Sequence, residues 1–400
     1  MNSAYIYDAI RSPRGRAKAS GGLHELTSLE LMKHLYEALE SRTGLDKARV
    51  QDVILGCVTQ AGEQAANIAK TSLLYAGWPE QVPGITLNRF CSSGLDAINF
   101  AALKVGAGQA SSILAGGVEM MSRIPMLSDR ASVFSDAALA ARCRMLMMGS
   151  GADLVASLYA VSRQEADAIA LQSQQRAARA RDAGWFSSIV PITNAAKGIV
   201  VKTDECIRDG TTLESLAQLP AAFAELGASG VDALQLQGVE GLSAIRHIHT
   251  AGNSPAMADG AALLWIGDAQ LGRDMGLPRR ARIRGAVSLC DDLMTVNTGC
   301  ARAVDTLMQQ QGLTAADVDL FELHEAFAAT VIKCRRDLEI DQDKLNVNGG
   351  VIALGHPMGA TGAVMAGTLL DELERRGLQL GIVAASGAAG TGTALLIERC

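Results

Sequence analysis

The chain repeats itself, and a repeat restricts the folds open to it more than any single motif does. "GLDKARVQDVILGCV" from Gly44 shares its register with "GLTAADVDLFELHEAF" from Gly312: Gly-Leu, four residues, Val, then a β-rich run. Each is followed by an extended segment that turns into a Gly- and Ala-rich helix, "ITLNRFCSSGLDAINFAALKVGAG" in the first half and "LNVNGGVIALGHPMGATGAVMAGTLLDEL" in the second. A strand rich in small residues closes each half, "SSILAGGVE" and "LGIVAASGAAG". The likeness is weak residue by residue, but the order is the same, so the chain reads as two copies of one α/β unit. Copies related by a pseudo-twofold axis bring matching loops to one shared site.

Residues 122–252 behave differently. They hold a Met- and Arg-rich stretch from Arg142 to Met148, the polar helix "SRQEADAIALQSQQRAARARDAG" and loops such as "DECIRDGTTLESLAQLP". This segment reads as an inserted domain covering the site. The expected division is 1–121 with 253–275 as the first half, 122–252 as the lid, and 276–400 as the second half. On the polar helix, Arg176, Arg179 and Arg181 read as a solvated face rather than an anion site.

Composition narrows the function. Hydrophobic residues at 48% and charged residues at 20%, with 41 glycines and only 4% aromatics, describe an α/β enzyme with closely packed elements. A formal net charge of −6 argues against nucleic acid or an anionic membrane as the main partner. Eight scattered cysteines form no C-x-x-C pair and no Cys/His ligand spacing, so neither a disulfide framework nor a metal site is expected. The expected compartment is reducing and cytoplasmic. No signal peptide is evident, and "LGIVAASGAAGTGTALLIE" fits two buried strands joined by a turn better than a membrane span.

Cys91 stands where the strand-like Ile85–Leu87 run gives way to helical spacing at Leu95, Ile98, Ala102 and Val105. Near a helix start, unpaired N–H groups and the dipole favour a thiolate. The thiol is therefore either a nucleophile or a small apolar core residue. His356, in "ALGHPMGATGA", occupies the second-half counterpart of that turn. Brought together by symmetry, the two make a thiol–imidazole pair able to attack a carbonyl or thioester; alone, His356 also suits a structural role in a Gly-rich turn. His324 and Glu325, in "FELHEAFAA", read either as a capping or buried network pair or as a site in which His324 donates to a developing enolate oxygen. The sequence is not H-E-x-x-H, so zinc chemistry is not indicated.

Taken together these motifs resemble the thiolases, acyl-CoA acyltransferases that break or make 3-oxoacyl-CoA. The match runs through "DAIRSPRGRA", "GCVTQAGEQAANIAKTSLLYAGWPEQVPGITLNRFCSSGL", "AGGVEMMSRIPM", "TAGNSPAMADGAA", "HEAFA", "NVNGGVIALGHPMGATGA" and the Gly-rich end, in family order over essentially the whole chain. The resemblance implies a duplicated five-layered αβαβα core with an inserted loop domain, assembled as a homodimer or homotetramer. It implies ping-pong chemistry: Cys91 attacks the 3-keto carbon, His356 takes its proton, and CoA later releases the acyl group. Backbone N–H groups of Cys91 and of the C-terminal turn would hold one oxyanion, and His356 with the His324 position the other. Coenzyme A is a substrate; no metal or bound cofactor is implied.

Departures from the family pattern modify these expectations. Ser386 stands where thiolases carry a second catalytic cysteine, and a hydroxyl is a poor general base beside a thiol. Condensation should therefore suffer most, favouring thiolytic cleavage in fatty-acid degradation. Ala388 replaces a glycine but keeps its N–H. His324 replaces the usual Asn, and Pro255 replaces a serine, leaving Ser254 as the possible pantetheine partner. With the long segment "GASGVDALQLQGVEGLSAIRHIHT", these point to a substrate larger than acetoacetyl-CoA. Met148 and Phe327 read either as channel lining or as core, and Asn348, Gly349 and Gly350 as the turn beneath His356. The alternatives are a biosynthetic acetyl-CoA acetyltransferase, an acyl-CoA-binding relative with impaired turnover, and a Cys/His hydrolase that works without CoA.

Overall fold

The computed structural model describes residues 2–400. Its strands are β1 (Ala4–Arg11), β2 (Gly15–Arg16), β3 (Asp52–Gly56), β4 (Gly84–Leu87), β5 (Ser112–Met120), β6 (Ile192–Asn194), β7 (Ile199–Val201), β8 (Ala258–Gly267), β9 (Ala281–Cys290), β10 (Leu320–Leu323), β11 (Leu380–Ser386) and β12 (Thr391–Arg399). β6 and β7 pair with each other; the rest form one sheet in the order β10-β11-β12-β9-β1-β8-β5-β3-β4, with the short β2 beside β8.

That order contains the duplication. Setting β2 aside, the first half runs β4-β3-β5-β8-β1 across the sheet, which is third, second, fourth, fifth, first along the chain. The second half runs β10-β11-β12-β9, and an isolated parallel bridge from Phe321 to Leu345 stands in for its third strand. Pair directions match as well. β3/β5 and β10/β11 are parallel, whereas β5/β8 and β11/β12 are antiparallel. The halves join where β1 runs antiparallel to β9 through Ala4↔Ile283, Tyr5↔Arg282 and Ile6↔Ala281.

Strand periodicity sorts side chains into layers. In β3, Ile54 enters a central core while Val53 and Leu55 enter an outer one. In β11, Val383 and Ala385 enter the same central core while Ile382 and Ala384 face outward. The helices Ser93–Gly106 and Met358–Arg376 fill the central core between the two sheet halves, contributing Leu95, Ile98, Val364 and Leu370. Outside, the helix Ser28–Thr43 covers the first half with Leu31, Leu35 and Leu39. It starts with a Thr27/Glu30 capping box. Gly299–Gln311 and Ala328–Asp337 cover the second half with Val304, Leu307 and Val331. Five layers result.

The central helices touch at glycines. A Cβ on Gly94 would lie 2.7 Å from the Gly359 carbonyl oxygen, and one on Gly362 would lie 2.6 Å from Leu95. Small residues at this crossing let the helix N-termini approach closely enough for residues just ahead of them to meet.

After Met120 the chain leaves the sheet and returns at Ala258. This excursion is not wholly a cover. Val190, Ile192 and Val201 pack into the first half's outer core. The polar helix, Arg163–Asp182, also differs from expectation. Arg176 donates to the carbonyls of Leu345 (2.6 Å) and Gln342 (3.1 Å) and so anchors the second half instead of facing water, whereas Arg179 stays exposed while donating to the carbonyl of Val347 (3.3 Å). Arg181 pairs with Asp182 and Asp209. No helix among the described residues is long and apolar enough to cross a membrane.

Candidate active site

Cys91 and His356 hold equivalent places in the two halves. Each lies two residues before a central helix, and each follows a residue with left-handed backbone: Phe90 (φ 50°) before Cys91, Gly355 (φ 95°) before His356. A bulky residue in that region is strained, on the order of 1–3 kcal/mol, and such strain collects at functional turns. Here it is held by a dense set of bonds. Arg89 N–H donates to Ser93 Oγ at 2.8 Å, Phe90 N–H donates to Asn88 Oδ1 at 2.8 Å, and Arg89 pairs with Asp96. Ser92 Oγ reaches into the second half and donates to the Ala385 carbonyl at 2.8 Å.

The crossing brings Cys91 Sγ to 3.2 Å from His356 Nε2. His356 Nδ1 lies 2.7 Å from Thr361 Oγ1, and the His356 N–H donates to the Ala256 carbonyl at 2.8 Å. With Nε2 accepting from the thiol, Nδ1 carries the ring proton and donates to Thr361. Burial pushes His356 well below the usual imidazole range, and the buried Arg14 charge adds to this. Arg14 is itself 1% exposed, and burial lowers it to about 10.

The resting charge state differs from the sequence expectation. Burial pushes the Cys91 thiol up to about 12, and the Glu119 carboxylate adds to the shift, while a backbone hydrogen bond only partly offsets them. The helix begins at Ser93, so Cys91 sits ahead of the first turn and packs among Met121, Met358 and Met148. The pair therefore rests as a neutral thiol and a neutral imidazole, poised for transfer rather than pre-ionised.

His324 lies beside them, with ring centroids 4.5 Å apart. Its Nδ1 donates to the Ser386 carbonyl at 2.9 Å, which leaves Nε2 with a lone pair and no hydrogen-bond partner. Burial lowers it to about 4, so it is neutral near pH 7. This corrects the sequence expectation of a donor: in this tautomer His324 accepts, and it meets an oxyanion only through an intervening proton donor. Ser386 also departs from expectation. Strand period places it on the outward face with Ile382 and Ala384, and its Oγ accepts the Cys300 N–H at 2.9 Å. It enters the site through its carbonyl, not its hydroxyl.

Met148 and Ala388 line a cavity of about 190 Å³ together with Cys91, Phe90 and Met358. The Ala388 N–H finds no acceptor among the described residues. Phe327 is one shell back, 8% exposed, packed on Met148 and edge-on to Phe223 at 5.7 Å. Ser254 lies elsewhere. It lines a second cavity of about 540 Å³ with Arg16, Lys18 and Arg208, and its Oγ is buried without a partner. The two cavities flank Ala17, which lines the second and packs in the Cys91 cluster.

Two residues escaped sequence reading. Glu119, wholly buried, accepts the N–H groups of Val58 (2.9 Å), Thr59 (3.0 Å) and Gly359 (2.9 Å) and the amide of Gln64 (3.0 Å), tying the first-half loop to the second-half helix. A lone acid in the otherwise apolar "ILAGGVEMM" was the available signal. Thr361, one turn into the His356 helix, carried none. Glu325 acts as a buried network residue: it accepts from Ser173 Oγ (2.8 Å), Asn346 Nδ2 (3.1 Å) and Ile352 N–H (3.1 Å), fixing the loop ahead of His356.

Comparison with known proteins agrees with this geometry. The descriptions "Thiolase, N-terminal domain" and "Thiolase, C-terminal domain" match residues 4–234 and 277–399. A 3-ketoacyl-CoA thiolase of Cronobacter sakazakii is 38% identical across 100% of both chains. A beta-ketoadipyl-CoA thiolase of Pseudomonas knackmussii is 38% identical over 99% of this chain and 98% of that protein. The crystal structure of the Bacillus anthracis acetyl-CoA acetyltransferase superimposes with a TM-score of 0.87 at 33% identity, covering 100% of this chain and 99% of that one.

Proposed function

This chain belongs to the thiolase family of acyltransferases, and we propose that it works in the cleaving direction, splitting a 3-oxoacyl-CoA with coenzyme A through an acyl-cysteine on Cys91. The observation that carries this reading is the 3.2 Å approach of a thiol from one half to an imidazole from the other, at the wall of an apolar cavity.

The proton accounting needs one base. His356 Nε2 takes the Cys91 proton as sulfur attacks the 3-keto carbon. The bond between the second and third carbons breaks, and the departing acetyl-CoA enolate takes that proton onto carbon. CoA then gives its thiol proton to His356, its sulfur attacks the acyl carbonyl, and Cys91 leaves and recovers the proton. Thr361 holds the imidazolium at Nδ1. The Ala388 N–H is the donor for the acyl oxyanion, and His324 Nε2 orders the proton donor, water or thiol, on the opposite side. The reverse reaction must strip an α-proton, and Ser386, its hydroxyl occupied by the Cys300 N–H, supplies no base for that.

Ser254, Arg16, Lys18 and Arg208 are the side on which we place the CoA arm, because its amides and phosphates need polar and cationic partners. The setting we propose is cytoplasmic fatty-acid degradation by a homo-oligomer. Eight free thiols support a reducing compartment. The open edge of β4, with Ile85 exposed on it, supports self-association. CoA-dependent loss of 3-oxoacyl-CoA absorbance tests the activity: the protein should show it and Cys91→Ala should not. Product formation without CoA would point to a hydrolase instead.

A further inference from the structure

Overall similarity does not separate the acyl groups that the two relatives' names carry. A 3-ketoacyl-CoA thiolase and a beta-ketoadipyl-CoA thiolase are equally 38% identical to this chain. A ketoadipyl chain ends in a carboxylate, whereas a simple 3-ketoacyl chain ends in a methyl group. The wall of the Cys91 cavity does distinguish them.

We propose that this cavity receives an uncharged hydrocarbon acyl chain and rejects one ending in a carboxylate, with Leu127, Val133 and Phe134 as hydrocarbon wall and Asp129 as the rejecting charge. The inference rests on the thiolase reading given above. Leu127, Val133, Phe134 and Leu146 line the cavity with four methionines, Met126, Met147, Met148 and Met358. Unbranched thioether side chains adapt to irregular contours, so the wall suits branched as well as straight chains. Asp129 is the one charged residue in that lining. No cationic side chain lines the cavity: Arg123 grips Glu63 through two bonds of 2.9 Å, Arg89 pairs with Asp96, and the exposed Arg130 next to Asp129 is outside the lining. An acyl carboxylate in this cavity would be desolvated, find no cationic partner and face a like charge.

The wall is built, not incidental. Leu127 (φ 70°) and Arg130 (φ 53°) both adopt left-handed backbone, and the Arg130 N–H closes on the Leu127 carbonyl at 2.9 Å. Two such residues around Asp129 fix its place at a strained tight turn, which persists where surrounding structure imposes it.

The test compares 3-oxohexanoyl-CoA with 3-oxoadipyl-CoA, which have the same number of acyl carbons and differ in the terminal carboxylate, in the CoA-dependent assay. The wild-type protein should favour the uncharged substrate by at least about 100-fold in kcat/KM. Asp129→Lys should narrow that ratio by about tenfold or more, chiefly by raising activity on the dicarboxylate, and Phe134→Ala should shift preference toward longer chains. Equal wild-type rates, or a ratio favouring the dicarboxylate, would overturn the inference while leaving the thiolase reading intact. Should Asp129→Lys fail to fold, the wild-type ratio and the inhibition of 3-oxohexanoyl-CoA cleavage by 3-oxoadipyl-CoA decide alone, weak inhibition being expected and tight inhibition contradictory. Cleavage of neither substrate would defeat the thiolase reading, and this inference with it.

Discussion

The two turns that meet at the site share a positive φ just ahead of the reactive residue and fill that position differently. In the first half, Phe90, Cys91 and Ser92 lead into the helix Ser93–Gly106; in the second, Gly355, His356 and Pro357 lead into Met358–Arg376. The second half meets the left-handed position with glycine, at little conformational cost. The first half places a phenylalanine there and holds it with the Arg89, Ser93 and Asn88 bonds. Anchoring across the axis differs too. A buried carboxylate, Glu119, secures the second-half helix, whereas a serine hydroxyl and the Ala385 carbonyl secure the first-half turn. Duplication thus supplied a shared geometry, and divergence at a few positions put a thiol in one copy and an imidazole in the other.

The largest test of that comparison removes the divergent atoms. Cys91→Ala should lower kcat by about 10⁴-fold or more, and His356→Ala by about 10²–10⁴-fold, with folding intact by circular dichroism. If His356→Ala retained near-normal turnover, the two copies would not be acting as a pair.

Next come the unequal anchors. Glu119→Ala should destabilise the fold by about 3 kcal/mol in denaturant unfolding, because three backbone N–H groups and the Gln64 amide lose their acceptor. Ser92→Ala should cost only about 1 kcal/mol. Equal costs would show that the anchors are interchangeable.

The left-handed positions give a smaller contrast. Gly355→Ala should destabilise by about 2 kcal/mol, since its Cβ would lie 2.9 Å from both Ala258 Cβ and Cys206 Sγ at φ 95°. Phe90→Gly should fall within about 1 kcal/mol of wild type, because relief of strain offsets lost packing. A reversed order would overturn the strain argument.

The smallest effect lies outside the turns, where His247 bridges Asp153 and Asp232 at 2.9 Å each and holds the Met148 helix. Its bonds to the two aspartates raise His247 above its usual value despite burial. The tie is therefore complete below about pH 6.5 and is lost as pH rises through the folded value. His247→Gln should lower the melting temperature more at pH 6 than at pH 8.5; a deficit that grew with pH would contradict the sign.

Topology was legible because the repeat carries register: Gly-Leu, Val and a β-rich run recur at one spacing, and both copies became a buried strand in equivalent sheet positions. Cys91 and His356 were legible for the same reason. What the sequence hid depends on which face a side chain takes at the end of an element. Ser386 follows the strand period outward to Cys300, and the His324 tautomer is set by a carbonyl 62 residues away. The charge state of Cys91 was misread because its proximity to a helix start was visible and its burial beside Glu119 was not.

The central claim is that an acyl group is carried on Cys91 between two thiols. Intact-protein and peptide mass spectrometry after mixing with a 3-oxoacyl-CoA in the absence of CoA tests it most directly. The account predicts an adduct of the acyl mass on the Cys91 peptide, one equivalent of acetyl-CoA released, and loss of the adduct with formation of the shortened acyl-CoA when CoA is added. An adduct on another residue, or acetyl-CoA release with Cys91 unmodified, would contradict it.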